Sequence, residues 1–307
     1  MIEIRQLRVF RAVASTGSFS GAARELGITQ PAISQQIKAL EKTVGTPLIL
    51  RSGRQMRLTE AGEALCRHAA TVLGAVNAAE EEIAALADLR TGRVRVASFP
   101  AGCSALVPRA LAAMRELHPD VGTELVEADP DEVVTMLRAG ECEVAVTYAY
   151  EDAPAPHWTD LVSRVLMTDP MVGLLPAGHP LASAGRPVEI TELTDDPWIA
   201  GCARCRAHLV DVCRRMGFHP SVAYATDDPR GVVGLVGAGL GVSLLSELAL
   251  RGLAEGGVTR VPVVPDAPRR IVAMTLPDLV KVASVNAMVD RLEEAAESLA
   301  APPLTTV

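Results

Sequence analysis

From Ser18 to Gly45 the chain reads SFSGAARELGITQPAISQQIKALEKTVG, a pattern of two short helices joined by a tight turn. Ser18 stands where it can cap a first helix running to about Leu26, and Gly27 supplies the left-handed stop. The second helix opens at Thr29-Gln30-Pro31, where a proline's missing N–H has no consequence. Ile33, Ile37, Leu40 and Val44 recur at spacings of four, three and four, so one face is apolar. Ser34, Gln35 and Lys38 point away from it, with Thr29 and Gln30 at the helix start. That polar, short-chained face suits base edges in a major groove, although an amphipathic helix facing only water would share its periodicity.

The residues that follow tilt the balance. Leu48–Arg51 and Gln55–Leu58 are strand-like runs around Ser52-Gly53, and Arg51, Arg54 and Arg57 sit on or beside them. A hairpin with arginines next to a candidate recognition helix reads as a wing aimed at phosphates or a minor groove. Charge follows the same division. Residues 1–58 hold nine Lys and Arg against three Glu, a net of +6, while the whole chain carries −8. A basic head on an acidic body means that the head alone is suited to a polyanion.

The run GSFSGAARELGITQPAISQQIKALEKTVGTPLILRSGRQMRLTEAG resembles the signature of LysR-type transcriptional regulators nearly position for position. The order of later segments is also similar to that family, more loosely. The resemblance implies an α/β fold with an N-terminal all-α winged helix-turn-helix, a long linker helix and a two-lobed periplasmic-binding-protein-like effector domain. It implies double-stranded operator DNA and a small-molecule effector as partners, and a homodimer through the linker helix, commonly within a homotetramer. Gln30, Pro31, Ser34 and Gln35 are the expected base-edge or groove contacts. Thr29, Lys38, Arg51 and Arg54 are the expected phosphate contacts, with Ser18 adding one.

A chain of 307 residues calls for more than one core. The expected divisions are 1–58 for the head, 59–89 for the linker helix and 90–300 for the effector domain. Thr59 caps the linker, and a seven-residue repeat runs through it: Leu65, Val72, Ala79 and Leu86, interleaved with Ala69, Val76 and Ile83. Beyond Arg90-Thr91-Gly92-Arg93, strands alternate with helices, which predicts parallel sheet in two lobes with crossovers near Asp160 and Ala267. Lobe I is then 90–161 with 268–300, and lobe II 162–267. Effector contacts are expected where strands end and helices begin. These are Ser98 and Ser104, which match the family's effector loop by position, Asp129 and Thr147 on the first lobe, and Cys202, Arg204 and Thr226 on the second. Arg204 suits a carboxylate fork, which hints at a small organic acid. Plain helix caps and surface residues remain the alternative for each.

Cys202-x-x-Cys205 allows three readings: small helix-compatible residues, a redox-sensing thiol pair at a helix start, or a zinc site with His208, which lacks a fourth ligand at standard spacing. A thiol-switched regulator is therefore the second functional reading. An enzyme or solute-binding protein is the third; no Gly-x-Ser-x-Gly, His-Glu-x-x-His or phosphate loop is present to support catalysis, and no metal or cofactor is expected. The N-terminus starts directly into an amphipathic pattern, and the apolar, glycine-rich Gly231–Leu245 is too short for a membrane span. A cytoplasmic location with reduced cysteines is the expectation.

Overall fold

The computed structural model describes residues 1–52, 55–86, 92–151, 158–254 and 256–300. The head is built from α1 (Ile4–Thr16), α2 (Phe19–Glu25) and α3 (Gln30–Val44). Ser18 caps α2 by accepting from the Gly21 amide at 3.0 Å. Gly27 and Gly45 take the left-handed conformation after α2 and α3, with φ of 64° and 78°. Ile33, Ile37 and Leu40 of α3 are buried against Val9, Phe10 and Val13 of α1 and Ala22 and Ala23 of α2. The wing is an antiparallel hairpin of β1 (Ile49–Ser52) and β2 (Gln55–Leu58). Its placement depends on Glu41 of α3, whose carboxylate accepts the amides of Leu48 at 2.9 Å and Ile49 at 3.3 Å.

The linker helix α4 (Glu60–Leu86) starts at Thr59, whose hydroxyl accepts from the Gly62 amide and donates to the Pro47 carbonyl. The expected extension to residue 89 lies outside the described residues. Gly62 lies directly under the Leu48 carbonyl oxygen, with which an added Cβ would overlap. Gly62→Ala is expected to lower head stability by about 1–3 kcal/mol, because backbone rather than a movable side chain must yield. Loss of amide exchange protection confined to residues 4–63 would show it; unchanged protection would contradict the packing.

The heptad series divides between two surfaces. Leu65 and Ala69 join Leu73 against Leu7 of α1. Val72 and Ile83 are 42% and 66% exposed, and Ala79 is exposed beside them. Farther along, Glu81 accepts from the Ser284 hydroxyl at 3.1 Å, tying α4 to the body.

The body continues with β3 (Arg93–Ser98), a π-turn at Gly102–Leu106, α5 (Val107–Leu117), β4 (Gly122–Glu127), α6 (Pro130–Arg138), β5 (Val144–Tyr150) and β6 (Val162–Asp169). It then forms β7 (Met171–Pro176), β8 (Val188–Glu189), β9 (Pro197–Ala200), α7 (Ala203–Arg215), β10 (Ser221–Ala225), α8 (Pro229–Gly237), β11 (Ser243–Ser246), α9 (Glu247–Leu250) and β12 (Val258–Val264). The chain returns through β13 (Arg269–Thr275) to α10 (Ala283–Ala300). Gly231–Leu245 is thus a helix, a turn and a strand; among the described residues no helix is long and apolar enough to cross a membrane.

Lobe I is a five-stranded sheet in the order β4-β3-β5-β13-β6. Two expectations need correction here. The sheet is mixed, because β13 runs antiparallel to both β5 and β6. The first crossover follows Asp169 and is not near Asp160, because β6 belongs to this sheet. Exposed along most of its length at the sheet edge, β6 lacks the buried-strand pattern that marks its neighbours. Lobe II is mixed as well: β7 is antiparallel to β11 and β12, and β8 is parallel to β12. The parallel pair β9 and β10 joins its edge through a Trp198–Val242 bridge. Head and body touch where Arg11 of α1 donates to the Ala139 carbonyl, just past the end of α6.

Candidate nucleic-acid interface and interlobe cleft

At the start of α3, Thr29, Gln30 and Pro31 are exposed; one turn on, so are Gln35 and Lys38, while Ser34 is half-buried. Thr29 occupies the N-cap position without a side-chain capping bond, so its hydroxyl is not engaged by the helix. Ser18 is exposed but accepts the α2 cap bond. The Ser20 hydroxyl lies 3.4 Å from Gln30 Oε1 and links the two motif helices, a contact the sequence reading missed although Ser20 sits on the open face of α2. Arg57 is exposed on the wing. The backbone of Arg51 lies in β1; its side chain and all of Arg54 lie outside the described residues.

The second site is the cleft between the lobes, a cavity of about 80 Å3. Lobe I contributes Phe99, Asp129, Tyr148 and Tyr150 to its wall; lobe II contributes Cys202, Cys205 and Thr226. Arg269 closes the hinge side. Its Nε donates to Asp169 Oδ2 at 2.8 Å and its Nη2 to Ser246 Oγ at 2.6 Å, while Asp169 Oδ1 accepts the Leu248 amide at 2.8 Å. The guanidinium lies 4.1 Å from the Tyr148 ring centre. Burial is the largest influence and opposes its charge, but Asp169, Tyr148, Tyr150 and Cys205 together hold its pKa above the ordinary arginine value.

Of the expected effector residues, Asp129, Cys202 and Thr226 line this cavity. Ser98, Ser104 and Thr147 do not. Ser98 is fully buried, Ser104 donates to the Ala101 carbonyl, and Thr147 donates to the Pro130 carbonyl at 3.0 Å, steadying the start of α6. Each thus braces the framework behind the cavity rather than forming its wall. Arg204 is at the rim, bridging the lobes. Its Nη1 meets Asp131 Oδ1 at 2.6 Å, its Nη2 donates to the Tyr148 carbonyl at 2.8 Å, and its guanidinium covers the Tyr148 ring. The expected carboxylate fork is therefore closed on the protein's own carboxylate.

Cys202 caps α7, and its Sγ lies 3.0 Å from that of Cys205. All six cysteines are free thiols. The hydrogen bond from Cys202 lowers the pKa of Cys205 to about 6 against the effect of burial, helped by the charge of Arg269. Burial raises Cys142 and Cys213 to about 12. His208 stacks on Tyr150 at 3.5 Å, and among the described residues no group of three His, Cys, Asp or Glu is placed to share a metal ion. Tyr148, Tyr150 and Arg269 were absent from the sequence-based site; the first two lie at the end of β5 and the third at the start of β13, and only the strand–helix alternation pointed toward those strand ends.

Two family models match the chain: "Bacterial regulatory helix-turn-helix protein, lysR family" over residues 4–63, and "LysR substrate binding domain" over residues 87–297. The transcriptional dual regulator GltC of Bacillus subtilis (strain 168) is 30% identical over 281 residues, covering 90% of this chain and 91% of the relative. The HTH-type transcriptional regulator IlvR of Caulobacter vibrioides is 32% identical over 267 residues, covering 86% and 88%. Among solved structures, a full-length OxyR variant from Pseudomonas aeruginosa superposes with a TM-score of 0.73 over 95% of both chains, and at 20% identity that likeness speaks to the fold.

Proposed function

The chain belongs to the LysR family of transcriptional regulators, and from that premise we propose how its residues divide the work. The open N-terminal face of α3 carries the reading. Gln30, Pro31, Ser34 and Gln35 meet base edges or the groove floor; Thr29, Lys38, Ser18 and the wing arginines Arg51 and Arg54 meet phosphates. Val72, Ala79 and Ile83 form the part of α4 that a second copy covers, giving a homodimer with two reading heads. A small-molecule effector binds in the interlobe cleft and acts by separating or tightening the lobes across the Arg204–Asp131 bridge. The protein catalyses no reaction and works in the cytoplasm, where its DNA is.

Selection of bound duplexes from a random pool tests the head. The expected product is a pseudo-palindrome whose half-sites lie a whole number of helical turns apart. No enrichment, or a single half-site, would overturn the paired-head reading. For the cleft, the melting temperature is measured against a panel of small carboxylates. One compound is expected to raise it progressively with concentration, by mass action on the folded state. A flat response across the panel would remove organic acids as the effector class.

A further inference from the structure

The interlobe cavity holds reactive groups that binding a metabolite does not use. Two sulfurs face each other at 3.0 Å in the first turn of α7. The Tyr148 hydroxyl lies 3.8 Å from Cys205 Sγ. Tyr150 is 6% exposed and lines the cavity, and its hydroxyl is turned to the Cys205 sulfur, whose thiolate it favours. A buried hydroxyl beside the sulfur pair is placed to donate to a group that reacts there. The charge of Arg269 favours Cys205 as the thiolate. The cavity of about 80 Å3 admits only molecules of a few heavy atoms.

From this geometry we propose that Cys205 and Cys202 form a dithiol that reacts with small hydroperoxides and closes to a disulfide. The Cys205 thiolate attacks the terminal peroxide oxygen; an S–O bond forms and the O–O bond breaks. The departing alkoxide or hydroxide is stabilised by the Tyr150 hydroxyl and takes a proton from solvent. Cys202 sulfur then attacks the sulfenic sulfur, forming the S–S bond and breaking the S–O bond. The hydroxyl leaves with the Cys202 proton as water. Two electrons pass from the sulfurs to the peroxide, which ends as one alcohol, or water, and one further water. A tripeptide disulfide such as oxidised glutathione is too large for the cavity. The proposal rests on the cleft being where this regulator receives its signal. Closing the bond draws together the turn that carries Arg204, and so acts on the bridge to lobe I.

The test treats the intact reduced protein with hydrogen peroxide, titrates thiols and maps bonded peptides by mass spectrometry. Expected is loss of two thiols per protomer, a Cys202–Cys205 bond, and a rate that falls by half as pH drops to about 6. Free cysteine would instead lose rate around its own pKa of about 8.5. Cys202→Ser should stop at a sulfenic acid trapped by dimedone, and Tyr150→Phe should slow the first step by on the order of tenfold or more. A half-rate near the free-thiol value, a bond among Cys66, Cys103, Cys142 or Cys213, or faster reaction with oxidised glutathione would overturn it. Thiol loss is read without DNA or carboxylates, so its failure is distinguishable from failure of the duplex or melting experiments.

Discussion

Arg269→Met is expected to destabilise the effector domain by about 3–5 kcal/mol, the usual consequence of leaving a buried carboxylate without its partner. Asp169 is fully buried and Arg269 only 4% exposed, so water cannot replace the lost hydrogen bonds. The pair also holds three elements together: the hinge strands β6 and β13, where the two residues are directly paired, and α9, through Ser246 and the Leu248 amide. Removing both charges, as Asp169→Leu with Arg269→Met, should cost less than Arg269→Met alone, because no orphan charge remains. Urea unfolding followed by tryptophan fluorescence measures this selectively, since both tryptophans, Trp158 and Trp198, lie in the body rather than the head. A loss under about 1 kcal/mol for Arg269→Met would mean that solvent reaches Asp169 and that the hinge is looser than described.

Gln35→Ala is expected to weaken binding to the selected operator by about 1–3 kcal/mol per half-site, roughly five- to 150-fold, with little change on random duplex. A glutamine amide gives one donor and one acceptor to a base edge, so its loss is felt only where the right base is present. Lys38→Ala provides the contrast. A phosphate contact should weaken both duplexes alike and reduce the salt slope by about one. Fluorescence anisotropy at two salt concentrations separates the cases. If Gln35→Ala weakened both duplexes equally, Gln35 would touch the backbone and another residue would read the base.

The head was legible in the sequence because its determinants are local: a serine cap, glycine stops and an apolar face, all within a few residues of what they control. Even there, the Glu41 carboxylate that seats the wing escaped, since nothing in the spacing marks which of several acids turns inward. The lobes were legible as alternation but not as topology. β5, VAVTYAY, reads only as an apolar run, and its tyrosines gain meaning once α7 is laid across them. Asp169 and Arg269 are 100 residues apart, and no local pattern pairs them. Arg204 was read as a fork for an effector's carboxylate, and the carboxylate it holds in the structure is Asp131, brought from the other lobe by the fold.

The short helix α6 has a fixed connection at each end. At its start Asp131 grips Arg204 across the cleft, and just past its end the Ala139 carbonyl receives Arg11 from the head. Both attachments suit the helix dipole, an acid at the positive end and a guanidinium at the negative one. Nine residues of helix make a rod of about 14 Å, stiff in compression and tension. It thus joins the rim of the cleft to α1 through one short, straight element, with Arg204 at one end and Arg11 at the other.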